Sequence, residues 1–430
     1  MKIAILNQPQ DPAVAGDEQR GSVAIVNWEL ARRLADRHEV TVYAPRAPGQ
    51  ALVERWGKIE IRRIRFTAKY LHKGTQLLAG RFVGRLPYAY SSLYYREYFL
   101  QVARDLRGRS MDVVHFPVQL QVAGLLRKAA PQSKLVLHMH QDEIAQLDSD
   151  FLLQHLAQID SVVTVSDFVT DRARARFPEF AGRIHTIGNG VDIERFHPET
   201  TRAGSSHPTH LLFVGRISPD KGVHLLIEAF DTIAREQPDL ELTVVGKPGM
   251  MPLDVLGVLL KDDPALESVR EFYGRSTFGW LSKEVFGQRR SYTEHLRTLL
   301  SPQTAPRVHF RGTVSLQELI LLYGQTDLLL LPSIWHESYG LPVAEAMASA
   351  VPVLASRGGG VPELVEEGVT GRLVPRLDLA ALTLALRELL SNPVRLREMG
   401  VAARVRAERL LTWDRSAQRL EQVYLGLVPP

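Results

Sequence analysis

The chain has 430 residues, of which 45% are hydrophobic and 23% charged, and a formal net charge of +4. This length and composition are typical of a soluble globular protein with two domains. The absence of cysteine from the sequence excludes disulfides, thiol nucleophiles and cysteine-based metal sites. No apolar run approaches about 20 residues, and the first residues lack the basic-then-apolar order of a signal peptide, so we expect a cytoplasmic protein without a membrane-spanning helix.

The first half of the chain alternates short apolar runs with amphipathic stretches. Amphipathic stretches such as 21–37 and 166–177 predict helices. Strands that alternate with helices indicate a doubly wound parallel sheet with right-handed crossovers, which we assign to a first domain of residues 1–195. The apolar runs that predict its strands lie at residues 2–6, 40–43, 113–116, 135–139 and 162–165.

The pattern restarts after a segment rich in proline, glycine and serine, which predicts a linker at 196–209. A second α/β domain is expected at 210–408, and its ligands should bind outside the carboxyl ends of its strands. Between 247 and 306 the alternation is lost, which indicates an insertion that either covers the binding site or contacts another subunit. The predicted strands of this domain lie at 210–214, 242–245, 308–310, 327–331, 351–354 and 372–374.

Two glutamates flank a predicted helix start in the second domain. Glu337 follows the apolar strand at 328–331, and Glu345 lies about one turn inside the next helix. Pro342 is predicted at the first helical position, so the free amides of residues 338–341 suit an anion or the oxygens of a sugar. Two carboxylates that each accept two hydroxyl hydrogen bonds fit the vicinal diols of a hexose and a ribose.

Two cations lie between the first strand and the first helix of the second domain. Gly215 and Arg216 follow the strand, and Lys221 and Gly222 precede the helix. Fixed cations there would hold a leaving diphosphate more tightly as its negative charge grows in the transition state. The structural alternative is a pair of surface cations in a turn.

Three successive glycines at 358–360, with Glu363 after them, follow another predicted strand. Such a run allows backbone amides to approach a phosphate closely. No Gly-Lys-Ser/Thr follows it, and no GxGxxG follows any strand, so a P-loop ATPase and a nicotinamide-dependent enzyme are both disfavoured.

The first domain offers fewer candidate residues. Gly21 and Ser22 begin a helix soon after the first strand, where they can face a diphosphate or an acceptor. His138 and His140 end a strand on one face, and Asp142 and Glu143 follow. Because no third clustered ligand has metal-type spacing, we predict one buried and one functional histidine rather than a metal site.

A basic and aromatic stretch lies at 58–109, with twelve Lys/Arg against three Asp/Glu. Such a segment can bind anionic lipid headgroups or a phosphorylated acceptor, which would hold the protein peripherally at the inner membrane face. The alternative is a solvated helix face with its aromatic rings in the core. No nucleic-acid motif accompanies the stretch, so nucleic acid is not an expected partner.

With these motifs in order, the sequence resembles the retaining family 4 glycosyltransferases of the GT-B fold, in which two Rossmann-like domains face each other across a cleft. The family's E-x7-E motif fits Glu337 and Glu345, and its Gly-Arg-x4-Lys-Gly motif fits 215–222. The turn at 189–192 fits the one before the linker. The last segment, 409–430, looks like the helix that crosses back to the first domain.

The resemblance implies a role for each matching residue. Glu337 would hold hydroxyls of the donor sugar, Glu345 would hold the ribose, and Arg216 and Lys221 would bind the diphosphate. His140 would lie at the reacting centre. Further donor contacts would come from Gly21 and Gly215, and from the backbone amides of Ser338, Tyr339, Gly340 and Leu341.

Two departures from the family pattern concern small residues. Ala350 stands where a glycine is common, and Gly21 is followed by Ser22 instead of a second glycine. Neither touches the donor motif, but both leave the acceptor open.

The reaction that the resemblance implies is front-face transfer of a hexose-type sugar from a nucleotide-sugar donor to a hydroxyl acceptor. A uridine diphosphate sugar is favoured over a guanosine diphosphate sugar. The acceptor is a glycan such as a polysaccharide, a glycolipid or a small molecule, and no metal or other cofactor is expected.

Three alternatives remain. In a retaining glycosidase the two glutamates would lie about 5 Å apart as acid and nucleophile, but in the resembling family they flank the distal hydroxyls and the ribose. A related GT-B enzyme, such as a sugar epimerase or a phosphorylase, would share the donor motifs. A catalytically inactive homologue would serve as a binding subunit.

Overall fold

The chain folds into two compact units, seen in a computed structural model that describes residues 1–13, 21–66, 87–198, 209–251, 253–261, 263–273 and 292–428. One unit comprises Met1–Gly190 with Trp413–Pro430, and the other Val191–Thr412. Within the described ranges, no helix has the length and apolar character needed to cross a membrane.

The first unit is built on an eight-stranded sheet of order β3-β4-β2-β1-β5-β6-β7-β8. All neighbouring strands are parallel except the β3–β4 hairpin. The strand order reverses at β1, so the carboxyl ends of β1 and β5 form a topological switch point, where ligands bind in such sheets. The strands are β1 (Lys2–Leu6), β2 (Glu39–Pro45), β3 (Val53–Trp56), β4 (Ile59–Ile64), β5 (Val113–Pro117), β6 (Lys134–Met139), β7 (Ser161–Thr164) and β8 (Ile184–Thr186).

Helices of this unit follow the strands as the sequence predicts for a parallel sheet. They are α1 (Ser22–Leu34), α2 (Arg96–Arg107), α3 (Ala123–Ala129), α4 (Glu143–Gln146), α5 (Ser149–Leu156) and α6 (Asp167–Arg176). The sequence also predicts α1 and α6 closely. The β3–β4 hairpin and β8 are not predicted, because β3 is mostly exposed and β8 has only three residues, so neither gives a clear apolar period.

The second unit is built on a six-stranded, wholly parallel sheet of order β11-β10-β9-β12-β13-β14. Its order reverses between β9 and β12, which places the loops after these two strands at the switch point. All four leucines of β12 are buried, as expected for a strand covered on both faces. The strands are β9 (Thr209–Val214), β10 (Leu240–Val245), β11 (Val308–Gly312), β12 (Leu328–Leu331), β13 (Val353–Ser356) and β14 (Gly371–Val374).

Nine described helices belong to the second unit. They are α7 (Val223–Ala234), α8 (Leu253–Leu259), α9 (Ala265–Tyr273), α10 (Tyr292–Thr298), α11 (Leu316–Gln325), α12 (Leu341–Ala348), α13 (Val361–Leu364), α14 (Leu379–Leu390) and α15 (Pro393–Leu410). The predicted insertion at 247–306 contains α8, α9 and α10, and its residues 252, 262 and 274–291 lie outside the described ranges.

The boundary between the units falls at Gly190, before the predicted end of the first domain at 195. The Val191 amide donates to the Leu411 carbonyl at 2.7 Å, and Arg404 donates to the carbonyl of Phe196 at 2.7 Å. These bonds hold the chain after Gly190 to the second unit. Most of the predicted linker, residues 199–208, lies outside the described part of the chain.

The last helix, α16 (Trp413–Leu427), belongs to the first unit. It packs on α1 and the turn after it. Arg33 donates to Asp414 at 3.0 Å, and His38 contacts Glu421 at 2.7 Å. Residues 413–430 thus lie in the unit to which the resemblance assigns the last segment, whereas 409–412 belong to the second unit, which extends past its predicted end at 408.

Candidate active site

The second unit brings two motif residues into direct contact. The Lys221 ammonium donates to Oε1 of Glu337, which also accepts a hydrogen bond from the Ser333 hydroxyl at 2.6 Å. The side chains of Lys221 and Glu337 are only 15% and 11% exposed. Burial alone would raise the pKa of Glu337, but the charge and hydrogen bond of Lys221, with that of Ser333, hold it below its usual range. Glu337 is therefore a carboxylate with an adjacent cation.

Backbone conformation explains how Lys221 reaches this position. Residues Pro219–Lys221 form a single 3-10 turn, and Gly222 follows with a φ of 65°. A Cβ at Gly222 would lie 2.0 Å from the carbonyl oxygen of Pro332, so only glycine allows the turn after β9 to approach the loop after β12 this closely. The loop contact is completed by the Ile334 amide, which donates to the carbonyl of Asp220 at 3.1 Å.

Arg216 is held by its own turn. Its Nη2 donates to Oδ2 of Asp220 at 2.6 Å, and its Nε donates to the Ser218 hydroxyl at 3.1 Å. Asp220 is fully buried, whereas the Arg216 side chain is one-third exposed. Gly215 directly follows β9, and its carbonyl lies against Gly246, which directly follows β10. Arg216 is thus an oriented cation whose side chain is partly exposed.

Glu345 lies apart from the pair, on α12. Its Oε2 accepts a hydrogen bond from the Tyr323 hydroxyl at 2.9 Å. Burial raises the pKa of Glu345 to about 7, although the Tyr323 bond opposes the rise. The carboxyl group is oriented by one partner and has further acceptor capacity for two neighbouring hydroxyls.

The helix α12 begins close to the position that the sequence predicts. Gly340 caps the helix with a φ of 99°, and Leu341 is the first helical residue, so Pro342 takes the second position rather than the first. Ser338 and Tyr339 are buried. Pro342 has no N–H, and the Val343 amide donates to the Gly340 carbonyl at 2.9 Å, so this helix start offers fewer free amides to an oxygen ligand than the sequence suggested.

The triple-glycine run supports Glu337 from the next loop. Gly359 has a φ of 66°, and a Cβ there would lie 1.9 Å from the carbonyl oxygen of Glu337. The Gly360 amide donates to that same carbonyl at 2.7 Å. The close approach that these glycines permit in the structure is to the backbone of Glu337, whereas the sequence suggested a phosphate.

The first unit carries the remaining predicted residues, Gly21 and His140. Gly21 precedes α1 with a φ of 97°, and a Cβ there would lie 2.8 Å from Oδ1 of Asp11. His140 follows β6, and its ring stacks on His138 with the centroids 4.1 Å apart. His138 is fully buried and His140 is partly exposed.

A hydrogen-bonded chain connects these histidines to the last helix. The Tyr424 hydroxyl lies 2.7 Å from Nδ1 of His115, and Nε2 of His115 lies 3.1 Å from Nδ1 of His138. Burial lowers the pKa of His115 to about 3 and that of His138 well below its usual value, so both rings are neutral. If the buried phenol donates, each imidazole accepts at Nδ1 and carries its proton on Nε2.

Several buried polar side chains lie at or just after the carboxyl ends of β5 and β6. Burial raises the pKa of Glu143 to about 8 and that of Asp142 to about 6, and Arg172 contacts Asp142 at 3.0 Å. No three or more His, Cys, Asp or Glu side chains in the described ranges are arranged to hold a metal ion. The buried atoms that lack a hydrogen-bond partner within the described residues include Gln119 Oε1, His138 Nε2, His140 Nε2, Asp142 Oδ1 and Glu143 Oε2.

The basic and aromatic stretch at 58–109 is only partly described, since residues 67–86 lie outside the described ranges. In the rest, Arg62 donates to Asp105 at 2.6 Å and Arg109 contacts Glu60 at 2.8 Å. Tyr98 and Phe99 are buried. These residues follow the alternative interpretation, with paired cations and aromatic rings in the core.

Sequence reasoning missed three residues around the Lys221–Glu337 pair. Asp220 lies inside the Gly-Arg-x4-Lys-Gly motif, and its acidic character beside Arg216 was a usable signal. Ser333 and Trp335 precede Glu337 closely, but nothing in their spacing shows that they contact Glu337 and Lys221. The Lys221 ammonium lies 4.5 Å from the centroid of the Trp335 ring.

Family models match most of the chain. The model described as Glycosyltransferase Family 4 matches residues 23–195, and two models described as Glycosyl transferases group 1 match residues 201–265 and 282–392. The matched ranges include every candidate site residue except Gly21 and Ser22.

Two of the curated relatives align with nearly the whole chain. Spore coat protein SA of Bacillus subtilis is 26% identical over 444 aligned positions, which cover 99% of this chain and 99% of that protein. A GDP-mannose-dependent α-(1-6)-phosphatidylinositol monomannoside mannosyltransferase of Mycolicibacterium smegmatis is 25% identical, over an alignment that covers 95% of this chain and 96% of that protein.

Solved structures share the fold. Sucrose-phosphate synthase from Thermosynechococcus elongatus has a TM-score of 0.68 at 21% identity, covering 99% of this chain and 98% of that one. HepE from Anabaena, solved in complex with UDP-glucose, has a TM-score of 0.66 at 18% identity, covering 99% of this chain and all of that one (100%). With its two doubly wound units and these matches, the chain has the GT-B fold and belongs to the family 4 glycosyltransferases.

Proposed function

We propose that the chain is a retaining glycosyltransferase that transfers a hexose-type sugar from a nucleoside diphosphate sugar to a hydroxyl acceptor. The observation that carries the proposal is the Lys221–Glu337 ion pair, with Arg216 held on the same turn as Lys221. Two fixed cations suit a diphosphate, and a carboxylate beside them suits the hydroxyls of the attached sugar. Glu345, on the helix that follows, suits the two hydroxyls of a ribose.

The reaction we propose is front-face substitution. The acceptor oxygen forms its bond to the anomeric carbon on the side from which the diphosphate leaves, and the acceptor proton passes to the departing phosphate oxygen. Lys221 and Arg216 stabilise the charge that develops on the diphosphate. The protein otherwise contributes position and exclusion of water. Because two cations supply the charge stabilisation, we propose that no metal or other cofactor is required.

The nucleotide base of the donor is proposed from one similar solved structure and one curated relative. HepE was solved with UDP-glucose, which supports a uridine diphosphate sugar as the first choice. The mannosyltransferase of Mycolicibacterium smegmatis is named as GDP-mannose-dependent, which keeps a guanosine diphosphate sugar as the second.

We assign the acceptor end to the first unit. His140 is proposed to lie at the reacting centre and Gly21 near the diphosphate. The unpartnered polar atoms after β5 and β6 support this assignment, since buried polar groups are normally hydrogen-bonded. They suit the hydroxyls of a glycan, glycolipid or small-molecule acceptor. Contact of the stretch at 58–109 with anionic lipid stays a prediction, testable by sedimentation with anionic and neutral liposomes.

Retention is tested by the anomer that forms first. Incubated without an acceptor, the enzyme should slowly hydrolyse UDP-α-glucose or GDP-α-mannose, and proton NMR should show the α-sugar before mutarotation. First appearance of the β-sugar would refute retention. A sugar epimerase would instead yield an altered sugar, and a phosphorylase would need inorganic phosphate. A catalytically inactive homologue would give no donor turnover.

A further inference from the structure

Asp263 connects the insertion to the candidate donor site. It lies in the turn between α8 and α9, where its Oδ1 accepts from the Ala265 amide at 2.9 Å and so helps to start α9. Its Oδ2 accepts from Nη1 of Arg376 at 2.8 Å and lies 3.4 Å from Nε2 of His336. The Asp263 side chain is only 12% exposed. A carboxylate with this many fixed donors is held in one orientation.

His336 carries the connection to Glu337. Its Nδ1 accepts a hydrogen bond from the Gly359 amide at 3.1 Å, so in the neutral ring the proton is on Nε2, the atom that faces Asp263. His336 directly precedes Glu337, and the Gly360 amide donates to the Glu337 carbonyl at 2.7 Å. The chain of contacts from Asp263 therefore ends on the backbone of Glu337.

Arg376 and the insertion core hold the same loop from the other side. Nη1 of Arg376 also donates to the Ile334 carbonyl at 2.8 Å. Ile334 and Trp335 pack into a buried core, and Trp335 lies beneath the Lys221 ammonium. The insertion thus contacts the residues next to both partners of the ion pair. Its own residues in this core are Met251, Leu256, Leu260, Ala265, Leu266 and Val269.

We propose that Asp263, His336 and Arg376 form a positioning network through which the insertion sets the place of Glu337, and so the enzyme's hold on the donor sugar. This inference rests on the proposed function of Glu337. None of the three residues supplies a diphosphate cation in that function. Loss of the network should therefore weaken binding of the sugar while leaving binding of the nucleotide diphosphate nearly unchanged, because hydrogen bonds to hydroxyls depend steeply on position.

The test uses the full chain and a matched pair of carboxylate-to-amide variants, one in the turn before α9 and one in α9 itself. Asp263→Asn keeps an acceptor for the Ala265 amide but removes the charge that faces Arg376 and His336. Glu267→Gln makes the same chemical change in α9, where Glu267 is 84% exposed and pairs only loosely with Arg270. For each variant, calorimetry gives the dissociation constants of UDP, UDP-glucose, GDP and GDP-mannose. Hydrogen exchange reports on residues 333–340 and 356–360 in the free protein.

We expect Asp263→Asn to raise the dissociation constant of the sugar nucleotide about tenfold, and that of the bare nucleotide by less than about twofold, as loss of a charged hydrogen bond in a positioning role predicts. Exchange at Gly359 should accelerate in Asp263→Asn and not in Glu267→Gln. If Asp263→Asn does not fold, Arg376→Gln breaks the same contact from the other partner.

Two results overturn the network. One is an equal loss of affinity for the bare nucleotide and the sugar nucleotide, which indicates general loosening. The other is an Asp263→Asn variant that matches the wild type both in hydrogen exchange at 356–360 and in the difference in affinity between the sugar nucleotide and the bare nucleotide. A wild-type protein that binds none of the four probes instead refutes the proposed function itself, so the two failures are distinguishable.

Discussion

The Lys221 ammonium donates to the Glu337 carboxylate, and each is the other's charged partner in a largely buried setting. A donor that binds Lys221 through its diphosphate and Glu337 through its sugar hydroxyls must enter between groups that already compensate each other. The pair is therefore both a structural element and the centre of the proposed donor site.

The first prediction concerns the stability of this pair. Lys221→Met should lower the free energy of unfolding by about 3 kcal/mol, because it leaves the Glu337 carboxylate buried without its cation. The double variant Lys221→Met with Glu337→Gln should lose clearly less than Lys221→Met alone, since it removes both charges. Urea denaturation measures the free energy of unfolding of Lys221→Met, of Glu337→Gln and of the double variant. Losses in the two single variants that simply add in the double variant would contradict the coupling.

A second prediction compares two glycines with nearly equal backbone angles. Gly222 and Gly312 have φ values of 65° and 67°, so alanine at either position should cost about 1 kcal/mol of backbone strain. At Gly222 the new Cβ also meets the Pro332 carbonyl at 2.0 Å, whereas nothing lies within 4 Å at Gly312. Gly222→Ala should therefore lower the melting temperature several degrees more than Gly312→Ala and should weaken UDP binding. Equal effects of the two changes on the melting temperature would show that the close approach of the loops does not contribute to stability.

The third prediction is a pH dependence from Glu345. Burial raises the pKa of Glu345 to about 7 in the folded protein, against 4.5 for the ordinary side chain, so the folded state binds the proton more tightly. The contribution to stability is present below about pH 4.5 and is lost as the pH rises through 7, on the order of 1–3 kcal/mol in total.

Glu345→Gln removes this titration while keeping an acceptor for Tyr323. The difference in unfolding free energy between wild type and Glu345→Gln should shift in favour of the variant from pH 5 to pH 8. A difference that is constant across this range would show that Glu345 does not titrate there.

A fourth prediction addresses the histidine chain of the first unit. Tyr424→Phe removes the hydroxyl partner of buried His115 and should cost about 1–3 kcal/mol. Leu425→Ala, on the same helix at a side chain that is 56% exposed, should cost less than about 0.5 kcal/mol. Equal effects would indicate that the hydroxyl contributes nothing beyond helix packing. Thermal denaturation compares the two.

The sequence predicted the α/β alternation of both units because their central strands are continuous apolar runs, such as the leucines of β12. It did not predict the β3–β4 hairpin, whose outer strand is exposed. Ala350 was identified as standing in a common glycine position, and it has a φ of 57°. That conformation is one that glycine adopts without strain.

At the candidate site, the motifs identified Arg216, Lys221, Glu337 and Glu345, but not their partners. The contact of Lys221 with Glu337 depends on how the loops after β9 and β12 meet, which no local pattern encodes. The contact of Asp263 with His336 depends on how the insertion folds back onto its domain. The insertion shows no clear period in the sequence, since the helices described in it have only 7, 9 and 7 residues.

The measurement that tests the central claim most directly is the thermal shift of wild type and Glu337→Ala with UDP, GDP, ADP and their common sugar conjugates. A ligand of the folded state raises the melting temperature by mass action. We predict that one nucleotide family stabilises the wild type, that its sugar conjugate adds a further shift, and that Glu337→Ala loses only the further shift. No shift of the wild type by any of these nucleotides or conjugates would contradict the donor site and favour an inactive homologue.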